Sequence, residues 1–155
     1  MKPVFVSACL LGRRCRYDGK SKTDAAVREM LEEFEEQGIL VVEVCPEELG
    51  GLSTPRDPAD LRGGDGHGVL AGTAQVRRTT DDGDVTDAFV LGARRALEMA
   101  PSASLAILKS RSPSCGISRT EIEGRQADGD GVFAALLRQR DVRLLSDEGL
   151  GSSTK

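Results

Sequence analysis

ILVVEVCPE, residues 39–47, decides the fold. A short, continuous, largely β-branched run set behind Gly38 reads as a buried strand, and it ends directly on Cys45. The same pattern occurs on either side. PVFVSA (3–8) is a first buried strand that runs into Cys9 and the turn-like LGRRCRYDGK; SLAILKS (104–110) is another, followed by RSPSCG with Cys115. Helical segments fall between the strands. TDAAVREMLEEFEEQ (23–37) puts Ala26, Met30, Leu31 and Phe34 on one face and stops at Gly38. DVTDAFVLGARRALEMA (84–100) is a helix capped by Asp84 or Thr86, GVFAALLRQR (131–140) is a helix opened by Gly131, and VRLLS (142–146) is a final strand. Residues 50–68, rich in Gly and Pro, read as a long loop, and VLAGTAQVRR (69–78) as a strand or hairpin. Strands alternating with helices specify an α/β chain: a Rossmann-like parallel sheet flanked by helices, in a single domain with right-handed crossovers. Ligands of such sheets bind beyond the carboxyl ends of the strands. Cys9, Cys45 and Cys115 are therefore expected on one rim.

Composition bounds what that rim serves. At 155 residues the chain suits one core, with residues 1–150 as the domain and GSSTK (151–155) as a disordered tail. Only 3% of residues are aromatic, so the core must come from Val, Leu, Ile and Ala. No apolar run approaches the roughly 20 residues that span a bilayer, and the N-terminus is too short and too soon charged for a secretory signal, so a cytoplasmic protein is expected. A net charge of −4 argues against bulk nucleic-acid binding. Charge is nevertheless uneven, with five basic residues against Asp18 between Arg13 and Lys22, which leaves room for a local anionic ligand.

Four cysteines in a reducing compartment do not suggest a disulfide framework. The residues leave three readings open: a shared metal or cluster site, a thiol-redox site, or inert buried cysteines. No C-x-x-C pair occurs, so an ordinary structural zinc site is disfavoured. Cys15 lies across LLGRR from Cys9, a spacing that takes it away from the strand end.

SACLLGRRCRYDGKSK, CPEELGGLSTPRDPAD, DVTDAFVLGA and LKSRSPSCG together resemble the family known as domain of unknown function 523, of the thiouracil desulfurase type. The resemblance runs in order from about residue 3 to residue 146, and the combination of CPE-x-x-GGL-x-TPR with SPSCG is specific. It implies a 4Fe-4S cluster held by Cys9, Cys45 and Cys115, Cys15 not being a ligand. It further implies a small thiolated base as substrate, whose sulfur binds the remaining iron. Non-redox desulfuration of 2-thiouracil would give uracil and hydrosulfide. Two other classes compete: a non-catalytic cluster or metal-binding module for redox sensing or sulfur transfer, and an iron-free domain binding a small anion through its Arg- and Gly-rich loops.

Around these cysteines, Glu47 of CPE is the candidate proton carrier, with backbone capping as the alternative. Glu48 is expected in solvent. Ser7, Ser112 and Ser114 stand close enough to ligand cysteines to hydrogen-bond cluster sulfur or substrate, or simply to shape turns. Only one of Lys109 and Arg111 is expected to face the rim, and Lys109 is the better candidate to offset the charge of an anionic cluster. Arg56 and Asp57 fix the long loop over the site or form an ion-paired anchor. Tyr17 is a stacking surface for a base or part of a tight turn. His67 is read as a solvated loop residue, and its GGDGHG context does not fit a dinucleotide-binding motif. Gly131, at a helix start, could receive an anion.

Overall fold

The computed structural model describes residues 2–148; the expected tail at 151–155 lies outside the described residues. Strands β1 (Val4–Ser7), β2 (Val41–Val44), β5 (Leu105–Leu108) and β8 (Arg143–Ser146) form a parallel sheet in the order β2-β1-β5-β8. Successive strand residues point to opposite faces, and the two faces carry separate cores. Val4, Val6 and Ile107 pack with Val27 and Leu31 of helix α1 (Ala25–Glu36). Phe5, Ala106 and Leu108 pack with Phe89, Ala93 and Ala96 of α4 (Thr86–Met99) and with Phe133 and Leu137 of α5 (Val132–Gln139). The expected α/β architecture is present, one layer of parallel sheet between helices. Among the described residues no helix is long and apolar enough to cross a membrane.

Several local expectations need correction. The 39–44 run is an edge strand rather than a buried one: Val41 and Val42 are half-buried and Leu40 is 65% exposed. In α1 the deepest residues are Val27 and Leu31, which pack on the sheet, with Ala26, Met30 and Phe34 flanking them; Asp24 caps the helix by accepting from Val27 N at 3.0 Å. At α4 neither Asp84 nor Thr86 occupies the cap, which is Val85; the Asp84 carboxylate accepts from Thr86 N at 2.8 Å from one position outside.

The largest departure is a second sheet. β3 (Ala59–Arg62) and α3 (Gly66–Ala71) occupy what reads as a long loop and the start of VLAGTAQVRR, and β4 (Gln75–Arg78) completes an antiparallel pair with β3. β3 also pairs in parallel with β6 (Arg119–Ile122), which turns back into β7 (Arg125–Asp128), giving the order β4-β3-β6-β7. This sheet reaches the rim of the first one, where Thr120 Oγ1 donates to the Ser112 carbonyl at 2.9 Å.

One close contact fixes the segment after β2. The short helix α2 (Pro46–Leu49) lies on α4 so tightly that a Cβ on Gly92 would fall 1.8 Å from the Pro46 carbonyl oxygen. Alanine usually stabilises a helix interior by about 1 kcal/mol over glycine. Gly92→Ala is instead expected to lower stability by about 3 kcal/mol, the upper range for overpacking, in urea unfolding. Unchanged stability would show that α2 can move away from α4.

Candidate active site

Each strand-end cysteine is set by its own local device. After β1 the chain enters a single 3-10 turn, Ala8–Leu11, closed by Gly12 at φ 97°, a left-handed conformation that glycine adopts without strain. The Cys9 carbonyl accepts from Lys22 N at 2.9 Å, which folds the basic loop back over the rim. Cys45 is the N-cap of α2, with Pro46 at the first helical position. Cys115 sits in a turn in which its own N–H donates to Ser112 Oγ at 2.7 Å and Gly116 N donates to the Ser112 carbonyl at 2.9 Å.

That turn docks on α5. Val132 N donates to the Pro113 carbonyl and Phe133 N to the Ser114 carbonyl, both at 2.8 Å. A Cβ on Gly131 would meet the Ser114 backbone at 2.5 Å. The anion expected near Gly131 has no place there, because these first amides of the helix already serve the loop that carries Cys115.

All four cysteines contribute to the wall of one cavity of about 660 Å³, as do Ser7, Ser112, Glu47, Tyr17 and Lys109. The structure thus brings Cys9, Cys45 and Cys115 together, and it adds Cys15. The spacing across LLGRR suggests departure from the rim, but Arg13 N donates to the Ala8 carbonyl and turns the chain back. Cys15 is buried, and its carbonyl receives Arg56 Nη2 at 2.9 Å and the Cys45 thiol at 3.6 Å. Glu48, expected in solvent, pairs with Arg13 at 2.9 Å and accepts from the Thr54 hydroxyl. Its carboxylate and the Cys15 and Cys45 sulfurs lie within 4.8 Å of one another.

Glu47 is held from two sides: Arg56 Nε donates to Oε1 at 3.1 Å and Ser114 Oγ to Oε2 at 3.2 Å. Its partners are side chains rather than the backbone amides of a cap. Arg56 spends its other nitrogens on the Ser53 carbonyl, Thr54 Oγ1 and the Cys15 carbonyl, so it anchors the loop and orients Glu47 together. Asp57 is exposed and takes no part in this network.

Buried Ser7 accepts from Lys109 N at 2.9 Å, and Ser7 and Ser112 share the cavity wall with Cys115. Lys109 turns its ammonium onto the Ser110 carbonyl and hydroxyl, each at 3.0 Å. Contrary to expectation, Arg111 lines the cavity as well. β5 ends at Leu108, Arg111 takes φ 63°, and its guanidinium grips Glu148 through two bonds of 3.2 and 2.9 Å. Tyr17 is 42% exposed at the cavity, where a flat ligand could meet it, and its carbonyl accepts from Arg56 N at 2.7 Å. His67 belongs to α3 rather than to a loop, bonds Asp130 at 2.9 Å, and is not part of this cavity wall. Sequence reasoning missed Glu121 and Gln126, which reach the cavity from β6 and β7. The signal for them was the Glu123-Gly124 pair, which forms the hairpin turn with φ of 50° and 82°.

The thiols are crowded. Burial pushes Cys115 up to about 12, against the pull of its bonds from Ser7 and Ser112, and the neighbouring Cys45 and Glu47 charges add to the rise. The hydrogen bond with Cys15 raises Cys45, and burial raises it further. For Cys15 the bond with Cys45 lowers the value, but the bond with Cys9 and burial outweigh it and leave the thiol at about 11. Cys15, Cys45 and Cys115 thus all resist ionising in this wall, and a thiophilic cation bound to them removes that cost. The donor set therefore fits a thiolate-bound metal group.

A cavity at the carboxyl end of a parallel sheet, walled by sulfur donors and a clamped carboxylate, is the arrangement of an enzyme acting on a small molecule. Residues 4–149 match the family model described as 2-thiouracil desulfurase, and the chain belongs to that family. It is 41% identical over 152 residues to the uncharacterized protein YbbK of Bacillus subtilis (strain 168), covering 95% of this chain and 97% of that one. Among solved structures it is similar to the [4Fe-4S]-dependent thiouracil desulfidase TudS (DUF523Vcz), with a TM-score of 0.78, 37% identity, and coverage of 98% of this chain and 95% of that one. The resemblance carried by the CPE and SPSCG motifs is thus borne out.

Proposed function

We propose that this chain removes sulfur from a thiolated pyrimidine such as 2-thiouracil, giving uracil and hydrosulfide, with a 4Fe-4S cluster bound by Cys9, Cys45 and Cys115. The observation that carries the reading is the meeting of three strand-end cysteines with Glu47 in one cavity. When bound, such a cluster supplies Lewis acidity, because an iron without a protein ligand stays open to a sulfur donor. The chain's own residues do the rest. Ser7 and Ser112, which share the cavity wall with Cys115, donate to cluster sulfur and temper its charge. Lys109 offsets negative charge from the cavity wall. Glu47 accepts a proton from the water whose oxygen replaces the thione sulfur, and Ser114 and Arg56 hold its two oxygens in place. Ser112 meets the base from the cavity wall, while buried Ser114, which is not part of that wall, acts through its bond to Glu47. The cytoplasm, which keeps thiols reduced, is the compartment this chemistry needs.

Exchange of a thione sulfur for a water oxygen leaves the oxidation state of the ring unchanged. Anaerobically prepared protein, first assayed for iron and sulfide, is therefore expected to turn over 2-thiouracil without dithionite in oxygen-18 water. Labelled uracil should appear with matching sulfide release. An absolute need for stoichiometric reductant, or turnover by iron-free protein, overturns the reading.

A further inference from the structure

We infer that the cluster-free protein has a second metal site, a zinc site made of Cys15, Cys45 and Glu48. Two thiol sulfurs and a carboxylate oxygen lie within 4.8 Å of one another. Zinc bonds of about 2.3 Å to sulfur and 2.0–2.2 Å to oxygen put the ligands of a tetrahedral site about 3.6–3.8 Å apart. Side-chain adjustment closes the remaining gap. The backbone is already fixed: Cys45 caps α2, Glu48 lies on that helix one turn on, and Cys15 is held against Cys45 by Arg56. The carboxylate has what it needs on its far side, since Thr54 donates to Oε2 and orients it, while Arg13 on Oε1 is 59% exposed and can swing into solvent. Two thiolates and a carboxylate select zinc over magnesium or calcium, which prefer oxygen alone.

The site is not a subset of the proposed cluster ligands: it uses Cys15 and Glu48, which that reading leaves idle, and omits Cys115. It shares Cys45, so zinc and the cluster exclude each other. Only this exclusion rests on the cluster reading.

The test titrates reduced, metal-free protein with Co²⁺ as an optical probe, and with Zn²⁺ against a chromophoric chelator. One equivalent of Co²⁺ is expected, with a sulfur-to-cobalt charge-transfer band in the near ultraviolet. Cys15→Ser should weaken zinc binding by at least about 100-fold, the most that loss of an outer-sphere partner costs, while Cys115→Ala should leave it unchanged. Because Cys15→Ser removes a buried group, Glu48→Gln serves as a second variant, expected to weaken zinc by about 10-fold or more while retaining iron as the parent does. Zinc bound beforehand should block iron uptake in proportion to its occupancy, and Cys15→Ser should relieve the block. Absence of the charge-transfer band, parental zinc affinity in both Cys15→Ser and Glu48→Gln, or loss of zinc in Cys115→Ala overturns the site. The two readings fail separately: without the zinc site, iron uptake by the parent protein is untouched, and without the cluster, the cobalt spectrum is untouched.

Discussion

Protein carrying Cys45→Ala is expected to retain no iron after anaerobic reconstitution, and Cys9→Ala and Cys115→Ala should behave alike, whereas Cys15→Ala should keep its iron. The effect is all-or-none because a cluster with three protein ligands that loses one is left with two, too few to hold it against solvent. The four variants differ little in what they remove from the fold, since each deletes one small, mostly buried side chain from the same wall. Differences in iron content therefore report ligation rather than stability. Full cluster occupancy in Cys45→Ala, or loss of iron confined to Cys15→Ala, would reassign the ligands.

The second large effect is on turnover. Glu47→Gln keeps the shape of the side chain and can keep a bond to Ser114, but it can no longer accept a proton, and a fall of about 10²-fold or more is expected. The substitution also leaves Arg56 without its carboxylate in a site where the two side chains are 8% and 16% exposed. Breaking such a pair is destabilising, although Arg56 retains three carbonyl and hydroxyl partners. Turnover per bound iron separates the two causes, because unfolding lowers iron and activity together. Near-normal turnover per iron in Glu47→Gln would return Glu47 to a role in holding Arg56.

The parallel sheet was readable because β1, β2 and β5 are short, β-branched or aliphatic runs bounded by turns, and because helices with a clear apolar face lie between them. The second sheet was not, because ADLR, RTEI and RQAD carry too few apolar residues to stand out from a loop. Their strands are stabilised by pairing and by single buried anchors such as Leu61 and Thr120, which no local pattern reveals. The meeting of Cys9, Cys45 and Cys115 followed from sheet topology alone. The place of Cys15 did not: spacing along LLGRR says how much chain separates two thiols, but Gly12 and the bond from Arg13 to Ala8 decide that the chain doubles back. Arg56 was visible as a loop anchor, while its second task of orienting Glu47 needed coordinates.

The docking of the Pro113 and Ser114 carbonyls onto the first amides of α5 has a consequence in time. A chain is made from its N-terminus, and Cys9, Cys15, Cys45 and Glu48 have all emerged before the β3 strand exists. Cys115 comes much later, and the amides of residues 132–134 that receive its turn come later still. The sulfur donors of this protein therefore mature in two instalments. A nascent chain offers Cys15 and Cys45 first, and the completed sheet adds Cys115 afterwards.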